Sequence, residues 1–471
     1  MNTHSAFPGL SRSGLTVLLV GQLLPLIDFS IVNVALDAIS ISLKASPVEL
    51  ELIVAAYGIA FAISLAMGSR WGDNFGRRRV FTAGVLLFGL ASLLCGLADS
   101  VWLLLVARAL QGIGAALIVP QILATLHVCL KGKEHARAIG LYGAIGGLAF
   151  IIGQVLGGLL IAADLGGYGW RSVFLINIPF CLAVLLCVRS VPETRNAQPV
   201  PVDWPGTLLL AGATGCLMMA LAFGPLLRWS WPCILLLAVF PLLLRQLWLA
   251  ERKLEQRQGA PLLPPALLRL ASMQFGLGMA VIFFACWSGF MFTVALTLQS
   301  GLGMTPFQSG NAFIALGAAY FFGAMVAASV VVKLGKKVTL FLGCVIQMSG
   351  LLALIATFSY AWPATGIALL IPATSLIGLG QSFIVNCFYR IGLAEVTAEY
   401  AGAGSAMLST VQQTALGLGP MLMGTLFSEK LHRHGSYKEA IVASLIMELL
   451  LMSLLALSAY ATRRAAPLQP E

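Results

Sequence analysis

The chain has 471 residues, of which 59% are hydrophobic and 10% charged, and it carries a formal charge of +10. A water-soluble domain has roughly 25% charged residues, and folding in water always leaves a skin for polar groups to cover. This composition therefore excludes a soluble protein and makes lipid the solvent for most of the chain. In lipid every backbone amide needs an internal partner, which leaves helices or a closed barrel. Long unbroken apolar runs, in place of ten-residue alternating ones, select helices.

In chain order, runs long enough to cross a bilayer fall at 14–36, 52–69, 80–98, 101–123, 138–162, 171–188, 206–225, 232–249, 272–298, 309–332, 338–358, 364–388, 401–427 and 440–461. That is fourteen predicted spans of about 20 residues each. The short polar segment before span 1 lacks a small-residue cleavage site after the first apolar run, so span 1 reads as a retained helix and not a signal peptide. The nine cysteines fall almost entirely inside the runs, without CxxC spacing. They read as small apolar residues, not as disulfide partners or metal ligands.

The basic residues orient the spans. Of the 28 lysines and arginines, 21 lie in the two tails and the 2/3, 4/5, 6/7, 8/9, 10/11 and 12/13 loops, 6 lie in the opposite loops, and Arg108 lies within span 4. Short basic loops stay in the cytoplasm, so both termini are expected there. The net charge is a topology signal, not a nucleic-acid one.

Span 1 carries Asp28 at mid-depth. The 2/3 loop reads Ser69-Arg70-Trp71-Gly72-Asp73-Asn74-Phe75-Gly76-Arg77-Arg78-Arg79. Its glycines permit a tight turn, and Asp73 stands where it can pair with the arginines or a helix N-terminus, a latch suited to closing the cytoplasmic mouth. Span 4 holds Arg108. Counted from the outer ends of their spans, Asp28 and Arg108 differ in depth by only about 3 Å at 1.5 Å per residue, close enough to pair. Ionisable residues this deep are costly and functional by default. Glu448 in span 14 is the third; a packing role, protonated or hydrogen-bonded, comes before a transport role for it. Gln381 and Asn386 in span 12, with Gln412 and Gln413 in span 13, are candidate cavity contacts. Phe283, Phe284, Trp287 and Phe290 in span 9, with Tyr320 and Phe321 in span 10, offer faces for a flat cation.

The chain repeats internally. Gly76-Arg77-Arg78-Arg79-Val80 after span 2 matches Gly335-Lys336-Lys337-Val338 after span 10, and Gly153-Gln154-Val155-Leu156-Gly157-Gly158 in span 5 matches Gly419-Pro420-Met421-Leu422-Met423-Gly424 in span 13. Spans 1–6 thus correspond to spans 9–14, with spans 7 and 8 inserted. The expected domains are 1–195, an N-terminal six-helix bundle; 196–270, the inserted pair with its linkers; and 271–471, a C-terminal six-helix bundle. Parallel bundles with substrate near the midplane are a transporter architecture.

The 2/3 loop resembles the motif shared by major facilitator transporters, with Ser69 where glycine is usual and Asn74 where a basic residue is usual. Leu26-Ile27-Asp28-Phe29-Ser30-Ile31-Val32-Asn33-Val34-Ala35-Leu36 resembles the span 1 signature of fourteen-helix drug:proton antiporters of the EmrB/QacA type, with Asp37 in place of its closing proline. Arg108-Ala109-Leu110-Gln111-Gly112-Ile113-Gly114, Trp170 through Pro179, and Leu298-Gln299 with Thr305 through Gly310 resemble further motifs of that group. Gly112, Gly114, Gly153, Gln154, Gly157 and Gly158 become the expected helix-packing motifs, although Gly153-Gln154 stands where the antiporters have Gly-Pro, so the bending proline is missing.

The resemblance implies an all-α membrane protein of the major facilitator fold that exports lipophilic, cationic compounds in exchange for protons. It implies an inner-membrane location, no cofactor beyond the proton gradient, no metal, and a monomer. Both spans of the Asp28–Arg108 pair would line the central cavity, with Asp28 as the coupling carboxylate, while span 14 would lie on the outside of its bundle. Export of an endogenous metabolite or siderophore is the alternative within the class. A non-transporting sensor or a membrane enzyme is less favoured, since the sequence shows no nucleotide loop, metal cluster or nucleophile motif.

Overall fold

The computed structural model describes residues 9–195, 203–224, 227–257, 259, 261–397 and 401–464. Among them there is no strand. The long helices are α1 (Arg12–Leu43), α2 (Pro47–Phe75), α3 (Arg77–Gly96), α4 (Val101–Cys129), α5 (Gly132–Ala163), α6 (Asn177–Cys187), α7 (Trp204–Phe223), α8 (Trp231–Gln256), α9 (Ala271–Leu296), α10 (Ile314–Leu334), α11 (Lys336–Ala361), α12 (Ile367–Gly392), α13 (Ala401–His434) and α14 (Tyr437–Arg464). Shorter helical turns flank α6, making a single apolar stretch Gly169–Ser190. A π turn, Thr297–Gly301, extends α9, and a short helix, Pro306–Asn311, precedes α10.

Eleven helical stretches among the described residues are long and apolar enough to cross a membrane, or twelve if the two arms of α2, bent by 47°, form one span. This is fewer than the fourteen expected. The difference lies in the runs 138–162 and 401–427, both of which are helical. α5 contains the run 138–162 whole, and among the described residues Ile151–Ala163 stands out within it as an apolar helix. α13 is diluted by Ser405, Ser409, Thr410, Gln412, Gln413 and Thr414.

Polar residues at the span boundaries start the helices. Ser11 accepts from the Gly14 amide, Ser100 from Leu103 and Asp203 from Gly206. Ser46 with Glu49 and Thr305 with Gln308 form capping boxes, each with proline at the first turn. The first-turn amides of a helix have no internal partner, so a side-chain acceptor there satisfies donors that lipid cannot.

The repeat seen in the sequence is also a repeat of backbone geometry. Gly76 (φ 106°) ends α2 and begins α3, and Gly335 (φ 79°) ends α10 and begins α11. Each glycine amide donates to the carbonyl four residues back, Gly72 at 3.1 Å and Val331 at 2.9 Å, and each glycine carbonyl accepts from the residue four ahead. Such positive φ values favour glycine over residues with a Cβ.

The chain clusters into two compact units, Met1–Gly153 with Ala163–Leu267, and Gln154–Ala162 with Leu268–Glu471. In the first, α2 and α3 pack on α4, α7 packs on α8, and α7 also packs on α2. In the second, α10 and α11 pack on α12, α9 on α13, and α11 on α14.

Candidate functional site

In the first unit, α1, α3, α4 and α6 converge on a buried polar cluster. Arg108 and Asp28 are both fully buried, and Arg108 Nη1 donates to Asp28 Oδ2 in a short ion pair. Asp28 Oδ1 also accepts from Gln111 Nε2 at 3.0 Å and Asn177 Nδ2 at 2.8 Å. Gln111 returns its carbonyl oxygen to Arg108 Nη1 at 2.9 Å, and both amides reach the Ser92 hydroxyl, at 2.8 and 3.3 Å. The guanidinium lies 4.5 Å from the centre of the Tyr57 ring, and Arg108 Nε donates to the Ile53 carbonyl at 3.4 Å. The Tyr57 hydroxyl in turn donates to the Pro25 carbonyl at 3.0 Å.

Asp28 and Arg108, at similar depths in their spans, thus do meet. Their neutral partners are harder to read from the sequence. Gln111 is three residues from Arg108, hence on the same helical face, and this spacing was a usable signal. Nothing in the spacing of Ser92, Tyr57 or Asn177 links them to Asp28. Three side-chain donors converge on the Asp28 carboxyl.

The helix-packing glycines sit where α4 and α5 approach their neighbours. A methyl at Gly112 would lie 2.3 Å from the Tyr57 carbonyl oxygen, and one at Gly114 2.8 Å from the Phe88 amide nitrogen. Gly158 is as close to the carbonyl of Pro306, at 2.5 Å, and Gly157 is buried beside it. Gln154, at the proline position of the antiporter motif, is fully buried, and neither end of its amide has a hydrogen-bond partner among the described residues.

The 2/3 loop is fastened within the first unit. Arg77 Nη2 and Asp73 Oδ1 are 2.5 Å apart. The Arg77 amide donates to the Thr194 carbonyl at 2.9 Å and its guanidinium to the Thr194 hydroxyl at 3.3 Å. The Arg78 amide donates to Glu193 at 3.1 Å, and Arg78 and Arg79 lie 3.8 and 3.9 Å from the same carboxylate. The expected Asp73–arginine contact is present. The segment 191–194 that receives the other arginines was not anticipated, since a glutamate outside the membrane is unremarkable in sequence.

The candidate cavity residues are scattered. Gln412 accepts from the Tyr389 hydroxyl at 2.9 Å. Gln413 is buried, and Gln381 is fully buried with no partner for its amide among the described residues. Asn386 Oδ1 is likewise without one. Glu448, on α14, accepts from Gln347 Nε2 of α11 at 3.1 Å. The span 9 aromatics pack on one another. The Trp287 ring is stacked on Phe284 at 6.1 Å and lies 5.8 Å from Tyr320, with Phe283 5.6 Å away. Phe321 points outward, 43% exposed. Among the described residues no cluster of three or more histidines, cysteines or acids is placed to hold a metal.

Residues 18–420 match the family model described as Major Facilitator Superfamily. The chain is 34% identical over 418 residues to a "Probable actinorhodin transporter" of Streptomyces coelicolor, covering 88% of this chain and 72% of the relative. It is 33% identical over 420 residues to "Puromycin resistance protein pur8" of Streptomyces alboniger, covering 88% and 81%. Among solved structures, an auto-inhibited POT family peptide transporter superposes with a TM-score of 0.70 at 14% identity, covering 98% of this chain and 99% of that one. A likeness at that identity concerns the fold.

Removing one partner of a buried ion pair strands the other charge. Arg108→Ala should lower the unfolding free energy by about 3–5 kcal/mol, while the double variant Asp28→Asn, Arg108→Gln should recover more than half of that. Thermal unfolding of the purified protein in detergent measures both, and additive losses would show that the two side chains act independently.

Proposed function

The chain belongs to the major facilitator superfamily, and we propose that it is a secondary exporter of lipophilic, largely cationic compounds, driven by the proton gradient through alternating access. The observation that carries this reading is the alignment, over most of both chains, with one relative named as a transporter and another named for resistance to a small molecule. The buried Asp28–Arg108 cluster supports it: a charged pair this deep in a lipid-facing fold is expensive to keep and marks a working site. In this reading the protein is a transporter and not an enzyme, acts as a monomer, and resides in the inner membrane.

The rest of the reading is of the same kind. We take the chain to have fourteen spans, as in the EmrB/QacA branch, with residues 1–195 and 271–471 as the two bundles and 196–270 as an inserted pair. The basic loops support cytoplasmic termini. Asp28 serves as a coupling carboxylate: a proton on it abolishes its attraction for Arg108, and a cationic substrate competes with that proton for the same charge. Asp73 and Arg77 to Arg79 serve as a cytoplasmic latch, whose charge pairs form in one conformation and are absent in another.

A dye and drug panel on an efflux-deficient host expressing the chain tests the function directly, with raised tolerance expected for several lipophilic cations. Asp28→Asn should abolish gradient-driven export of those compounds at matched protein levels. Unchanged export by that variant would remove Asp28 from coupling.

Asp73→Asn should reduce the transport rate at least fivefold with little loss of inserted protein. Undiminished flux would leave the loop a topological anchor and nothing more.

A reporter enzyme fused after Arg464 should be active only in its cytoplasmic form. Activity confined to the periplasm would overturn either the orientation or the even number of spans.

A further inference from the structure

Contacts fix the register of the internal repeat residue by residue. A methyl at Gly153 would meet Ile27 and Ser30 of α1, and one at Gly419 would meet Ala285 and Ser288 of α9. Gly84 faces Gly114, Leu117 and Ile118 across α3 and α4, and Gly343 faces Gly380, Phe383 and Ile384 across α11 and α12. The offsets are 258 from α1 to α9 (288 − 30), 259 from α3 to α11 (343 − 84) and 266 from α4 to α12 (380 − 114). In this register Cys286 takes the place of Asp28, Thr374 that of Arg108 and Ile377 that of Gln111. The Thr374 hydroxyl donates within its own helix, to the Leu370 carbonyl at 2.9 Å. The second half keeps the helix packing of the first and loses its ion pair.

An acid nevertheless occurs in the second half, from a different helix. Glu448 of α14 is 2% exposed, and its carboxyl accepts from Gln347, itself fully buried. Gln347 stands in the repeat place of Phe88, one turn from Ser92. α14 packs on α9, the helix that carries Cys286 at the repeat place of Asp28. Each half thus buries a carboxyl between its helices, Asp28 and Glu448, with opposite surroundings. Asp28 has a guanidinium and two amides. Glu448 has one amide.

The charged groups around Glu448 are few and distant. α14 packs on α11, α13, α9 and the π turn 297–301. α9 and the π turn contain no lysine, arginine, histidine or acid, and offer only Cys286. α11 has Lys336 and Lys337 in its first turn, Cys344, and Tyr360 at its far end; α13 has Glu429, Lys430, His432, Arg433 and His434 near its end; α14 has Tyr437, Lys438, Glu439, Tyr460, Arg463 and Arg464. Along α14 the nearest charge, Glu439, is about 13 Å away at 1.5 Å per residue, and Lys337 is about 15 Å along α11 from Gln347. No salt bridge involves Glu448 among the described residues. A carboxylate removed from water with no cation takes up a proton and neutralises itself.

We propose that Glu448 is a second proton-binding site of the transport cycle: it holds its proton as a neutral acid among α9, α11 and α14, and releases it when water or a cationic substrate reaches the carboxyl. The step is a simple ionisation. The O–H bond breaks, the electron pair stays on the carboxylate oxygen, and the proton passes to water. The proposal rests on the proton-driven reading above, and it gives α14 a part in coupling that the outside position expected for span 14 would not.

The test uses the full-length protein in liposomes, with ethidium as the probe, and infrared spectroscopy of the purified protein. Gln reproduces the shape of a neutral glutamic acid but carries no ionisable proton. Glu448→Gln should therefore fold and unfold thermally as the wild type does, and should lose gradient-driven ethidium accumulation at least tenfold. Glu448→Asp should retain part of the driven accumulation. The protonated-carboxyl band at neutral pH should be present in the wild type and missing from Glu448→Gln. Full driven accumulation by Glu448→Gln would reduce the acid to a packing residue and overturn the proposal, as would an unchanged infrared band. Wild-type accumulation that ignores the pH gradient would overturn the proton-driven reading itself, and the proposal with it.

Discussion

Much of the first unit is organised around the contact between Asp28 and Arg108. Either charge alone in a hydrocarbon medium is a heavy cost, and the attraction between them offsets it only where the remaining donors and acceptors are also served. That condition recruits Gln111, Asn177 and Ser92, and so ties α1, α3, α4 and α6 to a common centre. The face of Tyr57 beneath the guanidinium contributes a further attraction suited to a desolvated cation. The small residues serve the same end. Gly112 and Gly114 let α4 approach α2 and α3 closely enough for a side chain as short as that of Ser92 to meet the amide of Gln111. Without a hydrophobic force between helices in lipid, close packing and interhelical hydrogen bonds are what remains to hold them.

The two halves show how one packing scheme can carry two chemistries. Glycine contacts recur at offsets that change only between helices, while the polar groups at the centre differ in kind: an ion pair with three neutral partners in one, a lone acid with an amide in the other. Packing in a helical bundle depends on volume and close approach, which glycine, serine and alanine satisfy interchangeably. A buried charge depends on particular atoms at hydrogen-bond distance. The first property survives divergence between repeats more readily than the second, because many substitutions keep it.

The helical class, the internal repeat and the Asp28–Arg108 pair were legible in the sequence, because each is written in a strong local signal: long apolar runs, a recurring Gly-basic turn, and charges too deep to be incidental. The neutral members of the cluster were not. Ser92 and Tyr57 are ordinary residues for a membrane helix, and only the folded chain puts them beside a carboxylate or its partner. Glu193 escaped for the opposite reason, since an acid in a loop carries no cost that would mark it. The number of spans was also harder to read than their existence. α13 is studded with hydroxyls and amides, which weaken the hydropathy signal that identifies a span. Gln154 stands where the antiporter motif has proline, and its buried amide has no hydrogen-bond partner among the described residues.

The pair at the heart of the first unit also has a history within each molecule. Asp28 and Arg108 are 80 residues apart in the chain. At a synthesis rate of about 5–20 residues per second, the acid precedes its base by roughly 4–16 s. During that interval α1 must wait with a carboxyl that has no guanidinium, neutralised by a proton or held near the aqueous boundary. Arrival of α4 supplies the guanidinium that pairs with it. Asn177, later still, completes the set of donors when α6 emerges. The order of helices along the chain is thus also a schedule of charge neutralisation during biogenesis, and a chain that stalls between α1 and α4 presents the insertion machinery with an acid whose counterion does not yet exist.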